Sequence, residues 1–289
     1  MIVNEINRFL TAESQDIPQA ILDEAGKLAS YSFARQFGKR EERPATLRLS
    51  SIGSCTRKQA YKILGYEDNG KEIDSRAKQV FFQGDICELA IVSLAKAAGV
   101  NITDSGLDQK AIEFDGIQGH ADGVITIGDE QAGYERVLLE VKSMSSFSFK
   151  NFENQQIDEG YRYQCNAYME ALGLNRTCIV ALNKDSGVLA EWIIPKQKEI
   201  VDDIRNRIAI LRAVTKETLP ERPYHPDAKG FLPFYCLYCN VYKTCRPNAE
   251  RVLVSNRYKL RDPDDGDGSN LQRKQNENTS DGVDVGSVK

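Results

Sequence analysis

Two short segments carry side chains able to do chemistry together: Gly119-His-Ala-Asp122-Gly123 and Leu138-Leu-Glu140-Val-Lys142. Side chains alternate faces along a strand, so Glu140 and Lys142 project from one side while Val141 enters the opposite layer. A neighbouring strand would set Asp122 beside Glu140 across the ladder. Two carboxylates and a backbone carbonyl suit a hard divalent ion, which prefers oxygen ligands and retains waters. Such an ion lowers the pKa of a bound water and neutralises phosphate charge. A protonated lysine cannot ligate, but it orients the water or meets an anionic transition state. An isolated Glu-x-Lys is also what a cross-strand ion pair on a solvated face looks like. The glycines at 119 and 123 shift the balance, because the backbone can bend and approach closely there. His120 stands at i, i+2 to Asp122, but a lone histidine is more often structural.

Other polar residues fall on helical segments. Glu88, in Gly84-x3-Glu88, is flanked by Ile86, Leu89 and Ile91; buried, it needs a partner or a metal, and on the helix rim it needs neither. Gln164 and Tyr168 are i, i+4 and share a face, where an amide and a phenol can position a phosphate or a water. Alone they would be unremarkable.

Three of the seven cysteines stand at ligand spacing, Cys236-x2-Cys239-x5-Cys245. Cys55, in a Ser/Gly-rich loop before a helix, is the best fourth ligand, whereas Cys87, Cys165 and Cys178 sit in apolar contexts and read as core thiols. Four thiolates suit tetrahedral Zn²⁺ or an iron–sulfur cluster. One distant and three close cysteines look more like cluster ligation than like paired zinc ligands. An odd number of cysteines without a secretory leader argues against a disulfide framework. Tyr235, Tyr238 and Tyr242 beside the trio could stack on bases or form a local core, and Arg57 and Lys58 could meet phosphate or simply solvate a helix turn.

The elements that must position these residues are legible from periodicity. Residues 1–45 read as helical, ending at Pro44, and Ser75 to Ala98 as a long helix stopped by Gly99. Strands are expected at Lys110 to Phe114, Gly119 to Ile127 and Arg136 to Lys142, then a helix from about Phe152 to Leu172. Strands at Cys178 to Leu182 and Val188 to Ile194 and a helix over Lys196 to Val214 follow. This order predicts an α/β protein, a mixed sheet flanked by helices. The chain has 289 residues, net charge −4 and 41% hydrophobic residues, enough for a sizeable core and too apolar for a disordered protein. The acids are concentrated after Asp262, leaving a neutral body, so charge neither favours nor excludes a nucleic acid. Beyond roughly Arg261 the Asp/Gly/Ser/Asn-rich sequence is expected to be disordered. No apolar run reaches about 18 residues, so a soluble, cytoplasmic protein without a membrane partner is expected.

Together these residues resemble the PD-(D/E)xK nucleases of the RecB-like group, and among them the iron–sulfur exonucleases typified by the fourth CRISPR-associated (Cas) family, including phage-borne relatives. The resemblance runs from Leu47 to Pro247 through motifs that are individually weak and jointly specific. It implies a restriction-endonuclease-like core in which Glu88, Asp122 and Glu140 bind Mg²⁺ or Mn²⁺, Lys142 is catalytic, and Gln164 and Tyr168 support it. It implies that Cys55, Cys236, Cys239 and Cys245 hold a [4Fe–4S] cluster in a helical region built from N- and C-terminal parts. Two departures stand out: the family often has histidine where this chain has Glu88, and Ala121 replaces a proline before Asp122. The expected organisation is a helical extension over 1–46, a nuclease domain over 47–250 and an acidic tail over 251–289. The expected activity is metal-dependent exonucleolytic hydrolysis of single-stranded or end-opened DNA, in a host cytoplasm if phage-encoded, with recombination or CRISPR-adaptation proteins as partners. The rival expectations are a catalytically inert DNA-end or partner-binding module of a recombination or spacer-acquisition assembly, and a zinc-stabilised structural protein.

Overall fold

A computed structural model of the chain describes residues 1–39, 46–66, 75–131 and 133–263. The five-stranded sheet is built around β5 (Gly133–Met144), whose Val137, Leu138, Leu139 and Val141 are buried on both faces, the apolar run expected of a central strand. Its neighbours are β4 (Gly123–Asp129), antiparallel, and β6 (Arg176–Asn183), parallel. The short β1 (Ile102–Thr103) and β7 (Leu189–Pro195) close the edges in the order β1-β4-β5-β6-β7.

Helices cover both faces. On one, α1 (Ile2–Thr11) and α4 (Ser75–Ala97) bury Ile2, Ile6, Ile91 and Val92 against Val137, Leu139, Val141 and Val180. Outside them, α2 (Gln19–Phe37) lies along α4. On the other face, α5 (Ser146–Glu153), α6 (Glu159–Leu172) and α7 (Lys198–Ala213) pack on Leu138, Ile179 and Ala181. The hairpin of β2 (Ala111–Phe114) and β3 (Ile117–His120) sits on that side too. Helix α3 (Thr56–Ile63) contacts α7. The short helices α8 (Phe234–Leu237) and α9 (Tyr242–Cys245) precede a hairpin of β8 (Glu250–Val254) and β9 (Arg257–Arg261).

The α/β class with a mixed sheet between helices is the one expected, but several boundaries differ. The N-terminal helix breaks in two, with Pro18 as the cap of α2; its expected end at Pro44 lies outside the described residues. The strand expected over Gly119 to Ile127 is two strands in two sheets, parted at Ala121 and Asp122. Gly119 explains the placement of the first: a methyl there would stand 2.6 Å from the Tyr168 ring and 2.9 Å from Leu49. The helix expected from about Phe152 is α5 and α6, separated where Gln155 turns to φ 61° and Asp158 caps α6 through Gly160 N–H at 2.8 Å.

The acidic tail expected over 251–289 does not begin where composition placed it. Residues 250–261 form the β8–β9 hairpin, Leu260 is fully buried, and Arg246 donates to Asp262 Oδ2 at 2.7 Å with both side chains almost wholly enclosed. Residues 264–289 lie outside the described residues. Among those described, no helix is long and apolar enough to cross a membrane.

Removing one partner of a buried ion pair leaves the other charge enclosed without it. Asp262→Ala is therefore expected to cost about 3 kcal/mol or more of unfolding free energy, read as a lower urea midpoint. Tyr258→Ala, on the exposed side of the same hairpin, is expected to stay within about 0.5 kcal/mol.

Candidate active site and thiol cavity

Strand β5 outruns its neighbour. The ladder with β4 ends at Gly123 opposite Leu139, so the edge of β5 beyond it is left without a strand on that side. Asp122, the residue before β4, takes over: its Oδ2 accepts the Val141 N–H at 2.7 Å. Glu140 is 1% exposed, and its Oε1 accepts Gln164 Nε2 of α6 at 2.7 Å and the Lys142 ammonium. Glu140 Oε2 is buried with no hydrogen-bond partner. Glu88 of α4 is near enough to sense the Glu140 charge.

The charges act on one another. Burial, then the Glu140 and Glu88 charges, hold Asp122 well above the usual carboxylate range. Burial and the Glu140 and Asp85 charges push Glu88 up to about 7. Burial works against the Lys142 ammonium, but Glu140 and Asp122 outweigh it and raise its pKa above the ordinary lysine value. Tyr168, fully buried on α6, is raised by burial and by Glu140. Hydrogen bonds thus join Glu140, Lys142 and Gln164, Asp122 is tied to the same strand at Val141, and Glu88 and Tyr168 are near enough to sense the Glu140 charge. His120 lies exposed on β3.

Tyr161 belongs to this cluster and was not singled out from sequence. Lys142 Nζ stands 4.8 Å from the centre of its ring, a cation–π geometry. The signal was present: Tyr161, Gln164 and Tyr168 fall at i, i+3 and i+7, one stripe of α6.

The donor chemistry fits a hard divalent cation: three carboxylates sense one another, Lys142 and, at Glu88, Arg35 offset part of their charge, and one buried oxygen is orphaned. Among the described residues, however, no group of three or more His, Cys, Asp or Glu side chains stands arranged to hold a metal ion. Lys142 and Gln164 together occupy Glu140 Oε1, so a metal requires rearrangement of these side chains.

Beside this cluster, Cys55, Cys236, Cys239 and Cys245 line a single cavity of about 230 Å³ that extends to Tyr161 and Gln164. Cys55 caps the start of α3, and the others lie on or beside α8 and α9. Burial pushes the Cys236 thiol up to about 12, and charge on Cys239, Cys55 and Cys245 pushes the same way. Tyr235 stacks on Tyr224 with centroids 5.7 Å apart and donates to Asp158 at 2.9 Å. Tyr242 lies under Arg251, and Tyr238 is exposed. Arg57 donates to Pro220 O at 2.5 Å and packs on Tyr61, while Lys58 lines the cavity.

No family model matches the chain, and no protein of curated function does. Among solved structures the chain is similar to LHK-Exo, an alkaline exonuclease from Laribacter hongkongensis, in complex with dAMP. That structure is 16% identical, covers 64% of this chain and 91% of its own, and gives a TM-score of 0.42. It is similar to SSO0001 at 16% identity, 80% and 97% coverage and TM-score 0.45. The phage-related exonuclease from Haemophilus somnus 129PT gives 11%, 72% and 89%, and 0.30.

Glu88 ties stability to pH. Its folded pKa is raised from 4.5 to about 7, so the folded state holds a proton that the unfolded state has released across that interval. Stability falls as pH rises through it; Asp122 acts in the same direction. In chelator, the melting temperature is expected to drop between pH 4.5 and 7, and Glu88→Gln is expected to flatten that slope.

Proposed function

We propose that the protein is a metal-dependent deoxyribonuclease of the PD-(D/E)xK kind, acting as an exonuclease on single-stranded or end-opened DNA. The reading is supported by acids from α4, from the residue before β4 and from β5 that sense each other's charge, with Glu140 Oε2 buried and unsatisfied. Glu88, Asp122 and Glu140 would hold Mg²⁺ or Mn²⁺. When bound, the ion supplies Lewis acidity toward a phosphate oxygen and lowers the pKa of a water.

The chain's own groups do the rest. Lys142, kept protonated by its acidic neighbours, presents positive charge to the scissile phosphate as its oxygens gain charge. Gln164 holds Glu140 by one oxygen, fixing the direction of the other, and Tyr161 supports the lysine from beneath. Tyr168, wedged against Gly119, fixes β3 next to the segment that carries Asp122. In the same reading, Cys55, Cys236, Cys239 and Cys245 hold a [4Fe–4S] cluster that ties α3 to the C-terminal region, with Zn²⁺ as the alternative occupant. The four thiols lining one cavity support it. DNA is then the principal partner, over a nuclease domain spanning 47–250 with the β8–β9 hairpin appended.

End-labelled single- and double-stranded DNA should be degraded with Mg²⁺ or Mn²⁺ and spared in chelator. Asp122→Ala and Glu140→Ala should abolish cleavage, and Lys142→Ala should lower kcat by at least about a hundredfold; equal cutting by Lys142→Ala and wild type would refute the mechanism. Anaerobically purified protein should be brown and contain iron, and Cys239→Ala should lose the colour. A colourless protein with stoichiometric zinc would assign the cavity to zinc instead.

A further inference from the structure

Asp122 lies outside any strand that could fix its direction. Ala121 and Asp122 sit between two sheets and belong to neither ladder: β3 ends at His120, opposite Ala111, and β4 begins at Gly123, opposite Leu139. Alanine, unlike proline, leaves the φ angle of residue 121 unrestrained. Yet the Asp122 carboxylate stays on the Val141 N–H at 2.7 Å, beside Glu140. The restraint comes from Gln109, twelve residues before Ala121, whose Nε2 donates to the buried Ala121 carbonyl at 2.5 Å. A carbonyl only accepts, so the amide nitrogen of Gln109 must face it.

Gln109 follows a short 3₁₀ turn, Gly106–Asp108, that is itself held firmly. Lys110 pairs with Asp104 across the turn at 2.5 Å. Helix α2 packs so close that a methyl on Gly106 would stand 2.3 Å from Glu24 Oε1 and 3.1 Å from Leu28. Glu24 is fixed in turn by Lys96 of α4 at 2.8 Å, and Phe33 and Phe37 of α2 pack edge-on against Phe82 of α4. On the far flank, a methyl on Gly123 would reach Cβ of Ser105, a residue 2% exposed, at 3.2 Å. The turn therefore grips the peptide before Asp122 through Gln109 and abuts the residue after it through Ser105. Such a bond can do no more than satisfy a buried carbonyl, or it can set the direction of the next side chain. The second role fits here, because that next side chain stands in for strand backbone.

We infer that Gln109 is a positioning residue for Asp122: its hydrogen bond to the Ala121 carbonyl keeps the Asp122 carboxylate on β5 and in place for the cation. The cation half rests on the nuclease reading, whereas the hold on Val141 does not. Groups that orient a metal ligand without touching the metal change affinity by about tenfold or more when removed.

Two variants separate hydrogen bonding from packing. Gln109→Ala removes the donor, and Gln109→Glu keeps the size but offers the carbonyl only oxygen. Amide hydrogen exchange at Val141 is read in the metal-free protein against the amides of β6, so that local release is distinguished from general loss of stability. Mn²⁺ binding is read by calorimetry. Both variants should exchange Val141 severalfold faster with β6 protection kept, and both should bind Mn²⁺ about tenfold more weakly. Unchanged Val141 protection in both variants overturns the inference, as does unchanged Mn²⁺ affinity where protection is lost. So does wild-type behaviour of Gln109→Glu alone, which would make residue 109 a space filler. Lost Val141 protection in a protein that binds no Mn²⁺ and cuts no DNA would overturn the nuclease reading and leave the hold on Asp122 standing. Mn²⁺-dependent cutting with Val141 protection unchanged in both variants would do the reverse.

Discussion

The structure turns on a charge imbalance at one end of β5. Glu140, almost wholly enclosed, shares one oxygen between the Lys142 ammonium and the Gln164 amide, while Asp122 and Glu88 crowd the same space. Lys142, with Arg35 acting on Glu88, offsets these acids only in part, and because burying charge is costly the pKa values of Asp122 and Glu88 are raised. The surrounding fold supplies the rigidity that keeps the acids there. Both faces of β5 are packed, α6 is locked by Tyr168 against Gly119, and α4 is braced by the aromatic contacts of α2.

The termination of β4 makes the cluster possible. If the β4–β5 ladder continued one residue further, Asp122 would pair with Glu140 as an ordinary strand residue, and Val141 N–H would bond to backbone. The side chain of Asp122 takes that N–H instead. One carboxylate thereby substitutes for strand backbone and stays beside the second, leaving the β5 edge open to α4. The same economy appears at Asp158, which caps α6, accepts from Tyr235 and borders the cavities on both sides of Tyr161.

Much of this was legible in sequence because it rests on periodicity. The apolar run around Glu140 identifies a central strand, and the four-residue step from Gln164 to Tyr168 places them on one helix face. What escaped did so for definable reasons. The alternation from Gly119 to Ile127 continues through the break at Asp122, so nothing local announces that the chain changes sheets. The gap between α5 and α6 falls in a polar run with no glycine or proline, where Gln155 adopts a left-handed conformation. The β8–β9 hairpin is rich in arginine and lysine and fully buries one residue, Leu260, so composition reads it as tail. Tyr161 lay in plain view, but a tyrosine on a helix gains meaning only once Lys142 is seen above it.

Arg246 and Leu260 both line the thiol cavity, and Arg246 is held by Asp262. Because a polypeptide emerges from the ribosome amino end first, the wall they form is among the last parts of the described chain to exist. Cys55 is made some two hundred residues before that wall is complete. The cavity therefore cannot close around Cys55 until the last described residues have been made, whereas the other three thiols appear together with the wall itself.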